Sequence, residues 1–279
     1  MTHAARASLK RLLSAASPRT PADGLTVLIY HRVGGDTRDE RDLSPTAFRE
    51  QMHVLTRHRV LHIDEALGEL VAGDDRPKVV ITFDDGFADI ETTALPILAE
   101  HGLPFTLYLA TAYVGGTMHW DGSTATAAGP ALTWDQVGTL MGSGLCTIGN
   151  HTHTHARPEK LDAYELDRCT KEIESRLGMT PQHFAYPWGV TVPAMESALR
   201  TRFRSTATGA IGRARHDAVF WRLPRVPVRG SDPLAFFSAK LTGSLRPERT
   251  YAALVGIGKS IRPGHLHAIQ KPEHQDDHS

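Results

Sequence analysis

The sequence predicts an α/β fold in which a parallel sheet closes into a barrel. Strand-like and helix-like segments alternate along most of the chain, which is typical of a parallel sheet, and the number of these units favours a closed barrel over an open sheet. A length of 279 residues with 41% hydrophobic content suits one such barrel. Polar residues collect directly after several strands, where a parallel barrel forms its active site.

The first half of the chain is predicted to contain three strands and three helices. Residues 25–31 are an apolar, β-branched run typical of a buried strand. Residues 44–58 indicate a helix, because Ser44 is a favoured N-cap and Pro45 suits the first turn. The elements that follow are a short helix at 64–73, a strand at 79–83, a helix at 88–102 that ends at Gly102, and a strand at 104–111.

The second half continues the alternation after a long connection of small residues at 115–132. This connection is long enough to act as a lid or as a wall that contacts substrate. Beyond it we expect helices at 133–144, 162–178 and 192–202, strands at 145–149 and 183–187, a strand-like stretch at 203–209, and a final segment at 220–228.

Charge and composition exclude some classes of partner. Lys and Arg total 31 against 31 Asp and Glu, so no long-range field attracts nucleic acid or an acidic membrane surface. The two cysteines, Cys146 and Cys169, lack metal-binding spacing and are expected to be buried thiols.

The N-terminal segment, residues 1–21, combines basic residues with only a short apolar patch. We therefore expect neither a signal peptide nor a membrane span, and a cytoplasmic location. The alternative is an amphipathic helix over residues 4–16 that lies on a membrane surface.

Four predicted strand ends carry a polar or aromatic cluster. The loops that follow the strands of a parallel barrel share one face, so these clusters are expected to meet there. The four clusters are Tyr30-His31-Arg32, Asp84-Asp85-Gly86, the run from Gly149 to His155, and Tyr186-Pro187-Trp188-Gly189.

Adjacent acids at the end of an apolar strand need compensation, because Asp84 and Asp85 repel each other and lose solvation there. The run His-Thr-His-Thr-His at 151–155 supplies it through a shared divalent metal ion. An extended run places all three histidines on one face, whereas a helical turn places only His151 and His155 together. Both geometries offer two imidazoles, and one aspartate completes a set of two histidines and one carboxylate. A solvated turn and surface histidines are the plain alternatives, which burial disfavours.

Three motifs resemble the first three signatures of the polysaccharide deacetylases with a NodB-homology domain, carbohydrate esterase family 4. They are Thr-Phe-Asp-Asp-Gly at 82–86, His-Thr-His-Thr-His at 151–155, and Phe-Ala-Tyr-Pro-Trp-Gly at 184–189, in the family's order. The resemblance implies a hydrolase that removes N-acetyl, and sometimes O-acetyl, groups from amino sugars with a divalent metal, generally zinc.

The resemblance also implies the domain organisation. The family fold is a distorted (β/α)7 barrel, similar to a TIM barrel and formed by a single domain. We assign it to residues 25–245, with an N-terminal extension at 1–24 and a C-terminal extension with a polar tail at 246–279.

Residue roles are carried over from the family motifs. Asp84 matches the general base, and the family spacing excludes His153 as a ligand. The family also places an oxyanion-stabilising backbone N–H at the residue that matches Tyr186. The implied ligands of Zn²⁺, or of Co²⁺, Ni²⁺ or Mn²⁺, are Asp85, His151 and His155.

The general acid departs from the commonest family pattern, in which a C-terminal strand supplies a histidine. The late histidines, His265 and His267, lack that context. His31, after the first strand, resembles the acid of a circularly permuted subgroup that contains poly-N-acetylglucosamine deacetylases. We therefore expect His31 to protonate the leaving amine.

The arginine that pairs with the catalytic aspartate in many relatives is missing before the third motif. Arg225 is expected to take this role from another strand end, with Arg222 as the competing candidate. A fixed guanidinium would keep Asp84 ionised through a charge-assisted pair.

Aromatic residues in the loops are candidates for sugar binding. Tyr186, Trp188 and Trp134 have the shape to stack on sugar faces, although aromatic residues in loops also cap hydrophobic cores. The long connection adds His119, Trp120 and Asp121, which are candidates for the wall of the site.

The expected function is metal-dependent N-deacetylation of N-acetylhexosamine units in a glycan or glycoconjugate. Three alternatives use the same site: deacetylation of a small glycoside in natural-product biosynthesis, O-acetyl ester hydrolysis, and carbohydrate binding by a catalytically silent barrel. The presence of a base, an acid and three ligands disfavours the silent barrel. The oligomeric state is not predicted by these features.

Overall fold

Eleven strands can be followed in the computed structural model, which describes residues 2–15, 20–120 and 128–260. Seven of them form a closed parallel barrel in the order β1-β11-β10-β9-β8-β5-β4, which confirms the predicted (β/α)7 barrel. The bounds of the strands are β1 Leu25–Tyr30, β2 Arg32–Val33, β3 Asp42–Leu43, β4 Lys78–Phe83, β5 Phe105–Leu109, β6 Thr117–Met118, β7 Gly129–Pro130, β8 Cys146–Asn150, β9 His183–Ala185, β10 Ser205–Ile211 and β11 Leu223–Pro227.

The pairing of β4 with β1 brings two predicted strand ends together. All six residues of β4 pair in parallel with β1, from Leu25 with Lys78 to Tyr30 with Phe83. The next backbone N–H, that of Asp84, donates to the carbonyl of Tyr30 at 3.0 Å. Residues that follow the two strands are therefore neighbours at the carboxyl end of the barrel.

Side-chain alternation decides which residues at this end of the barrel face the surrounding helices and which face away from them. Tyr30 packs against Phe83 with a ring-centroid distance of 5.4 Å, and its hydroxyl donates to Gln51 on the neighbouring helix at 2.8 Å. Because successive strand residues face opposite sides, His31 and Asp84 are directed away from that helix.

Nine α-helices surround or cap the barrel in the described part of the chain. Ser44, Thr133 and Asp162 cap their helices by accepting from main-chain N–H groups, and Gly178 ends a helix with φ of 68°. The helices are α1 His3–Ser14, α2 Pro45–Leu55, α3 Ile63–Val71, α4 Leu95–Glu100, α5 Trp134–Gly142, α6 Ala163–Leu177, α7 Glu196–Arg202, α8 Leu234–Leu241 and α9 Arg246–Ser260.

The helix predicted at 88–102 is two segments. A π-helical turn spans Ile90–Ala94, and α4 begins at Leu95. Pro96 lacks an N–H and cannot donate to the carbonyl four residues before it, which explains why the regular hydrogen-bond ladder is interrupted here.

Helix α1 packs against α8 and α9, two helices that the sequence patterns did not predict. Lys10 of α1 is fully buried there and donates to Ser231 and Asp232, both at 2.6 Å. We call the buried charged group at this contact the ion cluster; its members are Lys10, Arg229, Asp232, Lys240 and Glu248.

Two further expectations can be compared with the fold. Cys146 and Cys169 are free and buried, which confirms the prediction of buried thiols. Among the described residues, no helix has both the length and the apolar character that a bilayer span requires.

Candidate active site

Four strands of the barrel, or the residues that directly follow them, contribute side chains to one polar site at its carboxyl end. His31 follows β1, Asp84 and Asp85 follow β4, the histidine run begins after β8, and Arg225 lies in β11. The turn after β4 is tight, with φ of 76° at Asp85 and 112° at Gly86. A Cβ at Gly86 would lie 2.5 Å from Leu109, so this turn requires glycine.

Asp85, His151 and His155 form a buried group that could hold a metal ion, and we call it the metal triad. One potential ligand atom from each lies within 4.8 Å of the others. Oδ1 of Asp85 is 3.5 Å from Nε2 of His151 and 3.3 Å from Nε2 of His155. Two imidazoles and one carboxylate suit Zn²⁺ and related first-row ions, and a set of three protein ligands leaves coordination positions open for water or substrate.

The remaining polar atoms of the triad also fit a metal. Nδ1 of His151 lies 2.8 Å from the carbonyl of Ala185, which fixes the proton on Nδ1 and leaves Nε2 free to bind. Oδ2 of Asp85 and Nδ1 of His155 are buried without a hydrogen-bond partner among the described residues. The histidines hold the pKa of Asp85 well below its usual value although burial alone would raise it, so the carboxylate is ionised.

The loop after β8 selects two histidines from the three. Asn150 accepts from the N–H of Thr152 at 2.8 Å and, through its amide, donates to Leu166 of α6 at 2.9 Å. The loop turns with φ of 65° at Thr152 and 53° at His155, and the ring of His153 instead contacts Thr111 at 2.9 Å. The spacing alone left this choice open.

Asp84 lies beside the triad in a buried two-bond pair with Arg225. The guanidinium donates to Oδ1 at 2.7 Å and to Oδ2 at 2.9 Å. Burial alone would raise the pKa of Asp84, but the charge and hydrogen bonds of Arg225, together with the nearby histidines, lower it below its usual value. Asp84 is therefore an ionised carboxylate held in one orientation.

Arg225 is itself fixed by the barrel. Its Nε donates to the carbonyl of Thr208 at 3.0 Å, and the side chain is 1% exposed. The competing candidate, Arg222, instead pairs with Glu196 at the surface.

His31 lies close enough to Asp84 and Asp85 to interact electrostatically with both carboxylates. Burial lowers the pKa of His31, and the carboxylates of Asp85 and Asp84 oppose this effect by favouring the protonated ring. Its Nδ1 is buried without a partner among the described residues. His265 and His267, the late alternatives, lie outside the described residues.

A pair of charged residues near His31 was missed by the sequence reading. Arg41 donates to Asp39 at 3.0 and 2.8 Å, and the charges of this pair act on His31 and on Asp85. An Asp-x-Arg sequence in a loop carries no signal by which this placement could have been predicted.

The backbone donor expected at Tyr186 is not free. Its N–H donates to the carbonyl of Ala207 at 2.9 Å, continuing the pairing of β9 with β10. In this structure the hydrogen bond of this N–H belongs to the sheet, and its role toward an oxyanion stays a prediction. The side chain of Tyr186 is buried against Phe184, with ring centroids 5.1 Å apart.

The tryptophans occupy different places. Trp188, with φ of 63° and 41% exposed, lies 5.2 Å from the ring of His155 and beneath the guanidinium of Arg157. Trp134 is at the start of α5 with its ring facing Arg176, so the structure does not bring it to this site. Trp120 packs on the ring of His155 with a centroid distance of 4.0 Å.

Comparisons with known proteins identify the chain. Residues 72–201 match the model of the polysaccharide deacetylase family. The matched residues form a polysaccharide deacetylase domain. This match confirms the family resemblance of the three sequence motifs, all of which lie within the matched residues.

Similar curated proteins include poly-β-1,6-N-acetyl-D-glucosamine N-deacetylase of Escherichia coli K12. The alignment of the two proteins is 269 residues long with 22% identity. It covers 79% of this chain and 39% of that protein. The chain thus spans about two fifths of the length of this curated relative.

Solved structures show the same fold. IcaB from Ammonifex degensii is 28% identical with a TM-score of 0.66, over 79% of this chain and 97% of that one. BC0361, a polysaccharide deacetylase from Bacillus cereus, is 20% identical with a TM-score of 0.66, over 80% of this chain and 70% of that one. The resemblance to the poly-N-acetylglucosamine deacetylase subgroup agrees with these matches.

Proposed function

We propose that this protein is a metal-dependent hydrolase that removes N-acetyl groups from N-acetylhexosamine units of a glycan or glycoconjugate. The observation that supports it most directly is the arrangement of two neighbouring carboxylates with separate partners. Asp85 faces two imidazoles, whereas Asp84 faces a guanidinium. This difference in partners supports Asp85 as a metal ligand and Asp84 as the base.

The metal triad would hold a divalent cation, for which Zn²⁺ is our first candidate. When bound, such an ion polarises the acyl carbonyl and lowers the pKa of water. Asp84 acts as the general base, because it accepts a proton from the attacking water. Its pair with Arg225 keeps the carboxylate ionised and prevents it from rotating toward the cation.

His31 completes the reaction as the general acid. Cleavage of the C–N bond releases acetate and an amine, and the departing nitrogen needs a proton because an amide anion is a poor leaving group. Burial lowers the pKa of His31, and the neighbouring carboxylates of Asp85 and Asp84 act in the opposite direction, toward the protonated imidazole that a general acid requires. The proton that Asp84 gains and the proton that His31 gives balance the hydrolysis.

The sugar is proposed to lie against Trp188. This ring is exposed and lies beside the metal triad, and aromatic faces are common platforms for sugar rings. The name of the Escherichia coli relative supports N-acetylglucosamine as the first sugar to test.

The test is acetate release from N-acetylglucosamine oligomers by purified protein. Chelation should abolish release, and added Zn²⁺ should restore it. Failure to release acetate from oligomers, small N-acetylated glycosides and O-acetylated sugars, with zinc bound, would contradict the proposal and favour a binding function.

The variant His31→Ala tests the role of the acid separately. We expect it to retain zinc and to lose on the order of 10²-fold in amide hydrolysis. Hydrolysis of 4-nitrophenyl acetate should be nearly unchanged, since that leaving group needs no proton. Equal losses on the amide and the ester would assign His31 another role.

A further inference from the structure

Trp120 is a buried aromatic residue in contact with the metal triad. Its ring lies 4.0 Å from that of His155, with 33° between the planes, and 5.9 Å from the ring of Tyr113. It is 4% exposed and packs in a small apolar cluster with Phe87 and Met118. The side chain is thus held beside the metal-binding edge of the site by contacts on several sides.

The indole N–H of Trp120 has no acceptor among the described residues. Nε1 is buried, and tryptophan can only donate at this atom. Buried donors are nearly always paired in folded proteins, and exceptions concentrate where a ligand or water completes the bonding. The unpaired atoms Oδ2 of Asp85 and Nδ1 of His155 are in the same site. Of these atoms, the carboxylate oxygen lacks a donor or a cation, whereas the indole N–H lacks an acceptor, which a bound molecule would provide.

The hydrolysis needs a donor of this kind. Negative charge develops on the acyl oxygen as water attacks, and donors that point at this oxygen lower the barrier. The N–H of Tyr186 is occupied by Ala207, and Nδ1 of His151 is occupied by Ala185. Trp120 carries a free donor in contact with a triad residue.

We propose that Nε1–H of Trp120 donates a hydrogen bond to the acyl oxygen of the bound acetyl group. This inference rests on the proposed deacetylase function. The bond strengthens as the oxygen becomes negative, and it persists in the complex with the acetate product. Trp120 is then a catalytic residue for both amide and ester substrates, because it contacts the acyl part that they share.

The variant Trp120→Phe tests this by removing the N–H while keeping an aromatic ring. With zinc loaded, we expect kcat/KM to fall on the order of 10²-fold for both an N-acetylglucosamine oligomer and 4-nitrophenyl acetate. Zinc content should stay at the wild-type value. Acetate binding, measured by calorimetry on the zinc-loaded protein, should weaken about 10-fold in keeping with one lost charge-assisted bond.

The matched control is Trp134→Phe. This change removes the same N–H from a ring on α5 that faces Arg176 of α6, and all three measurements should keep their wild-type values. If Trp120→Phe folds poorly or loses zinc, 3-benzothienylalanine inserted at position 120 keeps the bicyclic shape and lacks the N–H.

Three results separate the outcomes. Wild-type rates and acetate affinity in the position-120 variants would overturn the proposal, as would a loss confined to the sugar substrate, because the donor would then contact the sugar. A wild-type protein that releases no acetate from any substrate would refute the deacetylase function instead. Acetate calorimetry on the zinc-loaded protein would still test the donor in that case.

Discussion

Two buried polar groups of this protein differ in how completely their hydrogen bonds are satisfied. In the ion cluster, Lys240 lies 3.0 Å from Asp232 and also contacts Glu248, and Lys10 donates to Ser231 and Asp232. Each of its charges is opposed by another. No buried side-chain nitrogen or oxygen of this cluster lacks a partner among the described residues.

The active site has the opposite character. His31, Asp85, Trp120 and His155 each keep one buried polar atom without a partner among the described residues. Its backbone is also strained, because Asp85, Thr152, His155 and Trp188 adopt positive φ, and only one other described non-glycine residue does so. The ion cluster has no residue in this conformation.

The difference between the ion cluster and the active site indicates their separate roles. Complete pairing on unstrained backbone stabilises the fold, whereas unpaired atoms on strained backbone are retained where a ligand completes the bonding. Changes in the active site should therefore affect activity more than stability, and changes in the ion cluster should do the reverse.

The largest effect is expected from Asp85→Ala. Loss of the carboxylate leaves two imidazoles, so zinc should dissociate and kcat/KM for acetate release should fall on the order of 10⁴-fold. Metal analysis after dialysis and acetate assays measure the two changes. A variant that keeps stoichiometric zinc would show that the ion binds elsewhere.

Asp84→Asn should separate the base from the metal ligands. We expect zinc content to be unchanged and kcat/KM to fall about 10²- to 10⁴-fold, because the amide cannot accept a proton. The two hydrogen bonds to Arg225 make this substitution informative, since only one amide atom can still accept. Wild-type turnover would eliminate Asp84 as the base.

Asp232→Asn, in the ion cluster, should lower the stability of the fold and leave the activity unchanged. It leaves the charges of Lys10 and Lys240 without their shared buried partner, so the free energy of unfolding should fall by about 3–5 kcal/mol. Denaturant unfolding measures the loss. The kcat/KM of the folded fraction, corrected for zinc content, should match the wild type, and a specific loss of turnover would break the comparison.

The ion cluster should also make the stability of the fold sensitive to acid. Burial alone would raise the pKa of Asp232, but the charges of Lys240, Lys10 and Arg229 and the hydrogen bond from Lys10 together hold it below its usual value. The ionised form therefore stabilises the fold above the unfolded pKa of about 3.9, and this contribution is lost as pH falls through the lower folded value. Unfolding between pH 6 and pH 3 should show a smaller decrease for Asp232→Asn than for the wild type.

The smallest effect is expected at the surface. Arg49 and Glu100 form an ion pair with side chains 55% and 54% exposed. Glu100→Gln should change the free energy of unfolding by less than about 1 kcal/mol, because solvent screens the pair. A loss comparable to that of Asp232→Asn would mean that burial is not what distinguishes the ion cluster.

Much of the site could be anticipated from local sequence. Apolar strands followed directly by Asp84-Asp85 and by the histidine run place polar groups at the carboxyl ends of strands, and parallel strands bring those ends together. The caps at Ser44, Thr133 and Asp162 mark helix starts for the same reason, since each depends on residues within one turn.

Other features depend on contacts between distant parts of the chain. Helices α8 and α9, the burial of Lys10, and the contact of Trp120 with His155 involve segments far apart in sequence, and no local pattern specifies them. The occupied N–H of Tyr186 is a similar case, because its acceptor belongs to the adjacent strand.

The sequence by itself determined the alternation of strands and helices within the barrel and the chemical types at the strand ends. Only the tertiary structure decided which histidines face Asp85, that Arg225 rather than Arg222 meets Asp84, and which polar atoms stay unpaired. The physical reason is range: helix caps and strand alternation act over a few residues, whereas barrel closure joins β11 to β1 and sets side chains 141 positions apart at 2.7 Å.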